Sequence, residues 1–128
     1  MYEYFTKIEK VVDGDTFDVF LDLGFSVWHK ERIRLAGIDT AEKNTAFGKA
    51  TKTFLSSSLE GQIVRLQVSK PDKYGRYLGV VFLTKDSKES INDQMIKLKI
   101  AKPYGGDSKV GLWTEAELQK SVIDAKLV

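Results

Sequence analysis

From Thr16 to Leu23 apolar and polar residues alternate. Phe17, Val19, Leu21 and Leu23 share one face, with Asp18 and Asp22 opposite, which is the period-two signature of a half-buried strand. Gly24 marks a turn, and a second alternating run ends at Ile33, Arg34 and Leu35, with Arg32 and Arg34 on one face. With Tyr4–Val12 before them, these segments predict three successive strands joined by short connections. Two more strands are predicted at Ile63–Ser69 and Tyr77–Thr84, rich in Val, Leu and aromatic residues and separated by the turn-prone stretch Lys70-Pro71-Asp72-Lys73-Tyr74-Gly75.

The period changes to that of a helix in three places. The first helix is expected from Thr45 to Leu59, with Phe47, Ala50, Phe54 and, at the margin, Leu55 inward and Gly61 as the stop. The second starts at Ser90, with Asp93 in a variant of the capping box and Ile91, Met95 and Leu98 as its apolar stripe; it ends before Pro103. The third starts at Thr114, pairs it with Glu117, and carries Leu118, Val122 and Ala125. Three strands, a helix, two strands and two helices predict a mainly β fold with α elements: a five-stranded Greek-key barrel with three packed helices, in one domain spanning residues 1–128.

Composition narrows the chemistry. The 128 residues are 42% hydrophobic and 30% charged, enough for a core. There is no cysteine and one histidine, His29, so disulfides, thiol nucleophiles, zinc–thiolate sites and a Ser/His/Asp triad have nothing to build on. His29, beside Trp28 in a strand, reads as an exposed or packing residue. The first ten residues lack the apolar stretch of a signal peptide, and no window approaches a membrane span. The chain as written therefore predicts an intracellular protein, or a secreted one if it is a mature form. The net charge of +2 hides an uneven distribution. Residues 1–42 carry five Lys/Arg against nine Asp/Glu, while residues 63–104 carry nine against four. Such a split suits a cation held by carboxylates beside a cradle for a polyanion, and equally suits two differently charged solvated faces.

Three stretches carry candidate chemistry. Val12-Asp13-Gly14-Asp15-Thr16 is a turn between strands that sets Asp15 at the start of the next strand, with Asp13 shaping the turn; Asp-Gly-Asp is also a common hairpin connection. In Arg34-Leu35-Ala36-Gly37-Ile38-Asp39-Thr40-Ala41-Glu42 a strand ends in a loop bearing two carboxylates. A hard divalent cation wants several oxygens, which Asp15, Asp39 and a carbonyl near Thr40 can offer, and Glu42 can act on a water. Helix capping by Asp39 or Thr40, with Glu42 as first-turn acidity, is the plain structural alternative. Asp72-Lys73-Tyr74-Gly75-Arg76 sets an aromatic between cations, which fits nucleic acid or a merely soluble hairpin tip. Trp113 reads as a plug at the base of the third helix.

Taken in order, Asp-Gly-Asp-Thr, then Arg-Leu-x-Gly-Ile-Asp-Thr-x-Glu, then Asp-Lys-Tyr-Gly-Arg resembles the staphylococcal nuclease (thermonuclease) family, continuously from about Ile8 to Tyr104. The resemblance implies an OB-type barrel and a calcium-dependent phosphodiesterase. Such an enzyme cleaves DNA and RNA at the P–O5′ bond, leaving 3′-phosphates, with little sequence preference. It further implies Asp15 and Asp39 as Ca²⁺ ligands with the Thr40 carbonyl, Arg34 and Arg76 on the scissile phosphate, and Glu42 as general base. Lys73 and Tyr74 would contact the nucleotide phosphate, and Tyr104 would line the nucleotide pocket, an alignment that takes a one-residue gap. The expected partners are DNA and RNA, single strands preferred, with no membrane and a monomeric state.

Three features depart from the family pattern. Ala41 stands where the family usually has proline, which predicts a looser backbone under Glu42 and a lower rate. The loop after Glu42 is short, which would alter either substrate length preference or the ordering of Glu42. From Gly105 onward the match is poor. The principal rival is a non-catalytic OB-fold module that binds nucleic acid or protein; such modules lose metal carboxylates or arginines, and this chain keeps both.

Overall fold

The first strand bends twice where its partner does not, and that irregularity shapes the barrel. The computed structural model describes residues 2–71, 75–105 and 113–128, with the backbone alone at residues 70 and 71. Strand β1 (Tyr2–Asp13) pairs antiparallel with β2 (Thr16–Asp22), with register shifts between Ile8 and Lys10 and between Val11 and Asp13. Each shift inserts a residue, so burial runs Thr6, Ile8 and then Val11 instead of keeping strict alternation. The Val11 N–H is taken up by the Glu60 carboxylate at 2.9 Å. Strand β3 (Trp28–Leu35) pairs with β2 and, in parallel, with β6 (Tyr77–Phe82); β5 (Ile63–Pro71) joins β6 back to β1. The result is a closed barrel in the order β1-β2-β3-β6-β5, the predicted Greek-key OB architecture.

Phe17, Val19, Leu21, Ile33, Leu35, Val64, Leu66 and Val81 fill the interior, each under 8% exposed. Leu23, placed on the same face by alternation, lies past the end of β2 and is 47% exposed. Two positions in the turn beyond it, Phe25 and Ser26, adopt left-handed backbone conformations.

Helix α1 (Ala46–Leu59) starts where expected, with Thr45 as N-cap accepting from the Gly48 N–H. Its buried stripe is Phe47, Thr51, Leu55 and Leu59, sharing Phe47 and Leu55 with the expected one and adding Thr51 and Leu59. Ala50 and Phe54 are only half-buried, beside a groove bounded by the C-terminal segment. The i, i+4 row wins because α1 leans on β1, and Thr51, though polar, bonds its hydroxyl to the Phe47 carbonyl at 2.8 Å.

Helix α2 (Ile91–Lys97) is capped by Ser90, as expected, and buries Ile91 and Met95; Leu98, its C-cap, is half-buried. Its buried Asn92 knits the parallel seam. The carboxamide accepts from the Val81 N–H at 3.1 Å and donates to the Ala36 and Gly79 carbonyls at 2.9 and 3.1 Å.

The third helix is shorter than predicted. Helix α3 spans only Glu115–Leu118, a single turn carrying the expected Thr114–Glu117 capping box. Beyond Gln119 the chain is not helical, and Val122, assigned to the apolar stripe, is 78% exposed. Ser121, Val122, Ile123 and Asp124 favour helix weakly. The Gln94 side chain then draws the far end away, bonding both the N–H and the carbonyl of Val128 while Leu127 is buried.

A two-residue ribbon completes the fold. Strand β4 (Ile38–Asp39) pairs with β7 (Lys102–Pro103), placing Asp39 opposite Lys102.

Candidate active site

Arg34 is the centre of the site. It follows Ile33 in β3, so alternation sends it out of the barrel, yet it is only 4% exposed because the turn after β1, the β4 loop and Tyr104 close over it. Its Nη1 donates to the carbonyls of Leu35 and Ile38, at 3.1 and 3.2 Å. Its Nη2 lies 3.4 Å from Asp15 Oδ2 and 3.8 Å from Asp39 Oδ1. Two buried carboxylates thus converge on one guanidinium nitrogen. Arg32, two residues back, makes a two-pronged pair with Asp18 at the surface and depresses that carboxyl's pKa.

The turn at Asp13–Asp15 is held from several sides. Asp13 Oδ1 accepts from the Asp15 N–H, the Asp15 carbonyl accepts from the Leu35 N–H at 2.8 Å, and Asp15 Oδ1 accepts from the Thr16 hydroxyl. The expected turn-shaping role of Asp13 is therefore observed. Gly14 is required by packing: a Cβ there would lie 2.6 Å from Thr40 Oγ1. The Asp-Gly-Asp turn and the Asp39-Thr40 loop consequently sit against each other.

Glu42 is exposed, but its backbone is anchored. Its carbonyl accepts from both the N–H and the hydroxyl of Thr45, at 3.0 and 2.6 Å. Helix α1 approaches it so closely that a Cβ on Gly48 would lie 2.5 Å from the Glu42 carbonyl carbon. Ala41 itself is 4% exposed. Whatever freedom Ala41 leaves where proline would stand, the Glu42 carbonyl three residues before Thr45 is bonded from the start of α1.

A small polar cleft of about 150 Å³ opens over these residues, bounded by Asp13, Asp15, Thr16, Arg34, Thr40, Ala41, Glu42, Lys43 and Arg76. Of the expected site residues, Asp15, Arg34, Thr40, Glu42 and Arg76 line it. Asp39 is behind Arg34, and Tyr104 covers Arg34 with its ring, 5.4 Å from centroid to Cζ. Tyr104 is brought there by the β4–β7 ribbon, its N–H bonding the Gly37 carbonyl at 2.9 Å. Lys73 and Tyr74 lie outside the described residues. His29 is exposed on β3, bonded to Glu31 at 3.1 Å, with no part in the cleft.

Two features escaped the sequence reading. Lys43 lines the cleft, signalled only by its place after Glu42. Trp113 is no mere plug: its Nε1–H donates to Asp39 Oδ2 at 3.0 Å, across 74 positions of sequence. Lys102 Nζ sits 4.8 Å from the Trp113 ring centroid and 2.7 Å from Glu117 Oε1. That ammonium, with the Thr114 N–H, pulls the Glu117 carboxyl down to about 2.

Among the described residues no group of three or more His, Cys, Asp and Glu gathers as a metal cage. The donors that do converge, two buried carboxylates with the Thr40 loop, are all oxygen. They suit a hard cation that completes its shell with water and ligand oxygens.

Comparison with known proteins identifies relatives of this chain. The family model described as "Staphylococcal nuclease homologue" matches residues 32–127. A Haemophilus influenzae protein named "Uncharacterized endonuclease" is 33% identical over 111 residues, 87% of this chain and 58% of its own length. A Shigella flexneri "Micrococcal nuclease" is 36% identical over 76 residues, 59% of this chain and 41% of its own. An "Uncharacterized endonuclease" of Escherichia coli O157:H7 is 29% identical over 126 residues, covering 87% and 78% respectively. The chain thus spans about two fifths to three fifths of the first two relatives.

Proposed function

Because this chain belongs to the staphylococcal nuclease family, we propose that it hydrolyses phosphodiester bonds of DNA and RNA in a calcium-dependent reaction with little sequence preference. The observation that carries the reading is the convergence of Asp15 and Asp39 on Arg34 beside a cleft that Glu42 and Arg76 also line. Single strands are the favoured substrate, and the protein acts as a monomer.

Asp15, Asp39 and the Thr40 carbonyl would hold Ca²⁺, which when bound neutralises phosphate charge and orders water. Everything else falls to the chain. Arg34 Nη2, paired with both carboxylates in the free protein, turns to a non-bridging phosphate oxygen, and Arg76 takes another. These guanidinium groups act where negative charge grows in the transition state. Glu42, exposed on an anchored backbone, accepts a proton from the attacking water. The water oxygen bonds to phosphorus, the P–O5′ bond breaks, and O5′ leaves as the alcohol with a proton from solvent, so the product ends in a 3′-phosphate. Tyr104, by covering Arg34, keeps bulk water from its inner face.

The test is digestion of single-stranded DNA, duplex DNA and RNA with Ca²⁺ or with EGTA, followed by end-group analysis. Cleavage with Ca²⁺ alone, leaving 3′-phosphates, is expected. Binding without cleavage in any divalent cation would mean a nucleic-acid-binding module instead.

A further inference from the structure

We infer that Trp113 is a positioning residue for Asp39: its indole N–H fixes the orientation of that carboxylate, so that the segment after residue 112 helps set the geometry of cation binding. The inference rests on the metal role of Asp39 proposed above.

The terminal torsion of an aspartate is broad, so a buried carboxylate is oriented by whatever bonds it. For Asp39, Trp113 Nε1 donates to Oδ2 at 3.0 Å while Oδ1 faces Arg34 Nη2 at 3.8 Å. An indole N–H is a donor and nothing else, so it can direct a carboxylate but can never ligate a cation. The donor is itself immobilised. The ring packs against Phe47, with centroids 5.8 Å apart, and under the Lys102 ammonium. Lys102 stands opposite Asp39 in the backbone register of the β4–β7 ribbon and forms an ion pair with Glu117 in the cap of α3. One carboxylate oxygen is thereby committed to the fold and the other faces Arg34 Nη2, which Asp15 also contacts. Partners of this kind, bonded to a ligand and not to the metal, typically change metal affinity 10- to 100-fold when removed.

Trp113→Phe keeps the aromatic packing and deletes the N–H. In calorimetric titration of the nucleic-acid-free protein, at a temperature where both proteins are fully folded, Ca²⁺ affinity should fall about tenfold or more; the melting temperature should also fall, because the buried Asp39 Oδ2 loses its donor. A second readout leaves position 113 intact. The chain has two tryptophans, so in a Trp28→Phe background Trp113 is the sole tryptophan, and its emission, excited beyond the tyrosine band, should shift as Ca²⁺ is added. Ca²⁺ affinity of Trp113→Phe within twofold of the parent, or emission indifferent to Ca²⁺ at saturation, overturns the inference and leaves the indole a packing residue. A parent protein that binds no Ca²⁺ overturns the metal reading, and this inference with it.

Discussion

Replacing Gly48 by alanine tests the claim that α1 holds Glu42 in place. Gly48 is in the first turn of the helix, and its added methyl would lie 2.5 Å from the Glu42 carbonyl carbon and 3.0 Å from the Ala41 oxygen. These are backbone atoms, so no side chain can swing aside. In an exposed helix the same substitution would stabilise by about 1 kcal/mol. Here overpacking costs about 1–3 kcal/mol, and the two bonds from Thr45 to the Glu42 carbonyl, each worth about 1 kcal/mol net, must stretch or break. The balance is a loss of about 1–3 kcal/mol, which for a domain of this size lowers the melting temperature by roughly 4–12 °C. Function should suffer more, because a displacement of order 1 Å at a catalytic group can lower the rate about 100-fold. Gly61→Ala is the control: at φ +82° with no atom within 4 Å of the new Cβ, it is strained but remote from the cleft. Left-handed alanine costs about 1–2 kcal/mol, so that variant should melt lower yet keep the parent kcat/KM at a temperature where both are folded. If Gly48→Ala loses stability like the control and keeps full kcat/KM, the helix does not position Glu42 and the reasoning is wrong.

Other consequences can be checked separately. Arg34→Lys keeps the charge but cannot span Leu35, Ile38 and Asp15, so kcat/KM should fall by at least about 100-fold, near 3 kcal/mol of transition-state stabilisation; equal steady-state rates would exclude a guanidinium contact to phosphate at this position. Asn92→Leu strands the Val81 N–H and removes a donor from two carbonyls, and urea unfolding should show a loss of about 2–4 kcal/mol with the cleft chemistry intact once folded. Glu117 has its carboxyl held at about 2, below its unfolded value, so its contribution is full above about pH 4.5 and disappears as pH falls through 2. Thermal melts of the parent and Glu117→Gln should therefore diverge above pH 4.5 and converge toward pH 2; a constant gap would contradict the Lys102 pairing.

Legibility varied with the distance over which each feature is specified. Strand alternation located the five barrel strands, and capping at Thr45, Ser90 and Thr114 located three helix starts. The apolar period found Phe47 and Leu55 of the buried stripe of α1 but missed Thr51, because Thr51 is polar in sequence and hidden only once its hydroxyl bonds Phe47. It also overextended α3, because the Val128–Gln94 bonds lie outside any local window.

Chemistry-bearing residues followed the same rule. Asp15, Arg34, Asp39, Thr40 and Glu42 stood out as candidates in Asp-Gly-Asp and the Arg34–Glu42 stretch, and Arg76 in Asp-Lys-Tyr-Gly-Arg, because turns and strand ends announce themselves locally. Their convergence was not readable, since it depends on Gly14 meeting Thr40 and on two carboxylates sharing one guanidinium. The bonds from Thr45 to the Glu42 carbonyl, with Gly48 packed close to it, are likewise not written in the sequence.

Residue identity and periodicity therefore establish which polar groups this chain can offer at the cleft, because those signals act within a few positions. Folding over long separations decides how the groups face one another. The β4–β7 ribbon carries Tyr104 onto Arg34, and Trp113 reaches Asp39 from 74 residues away. No local pattern encodes either contact, since each exists only after barrel closure has brought distant backbone together.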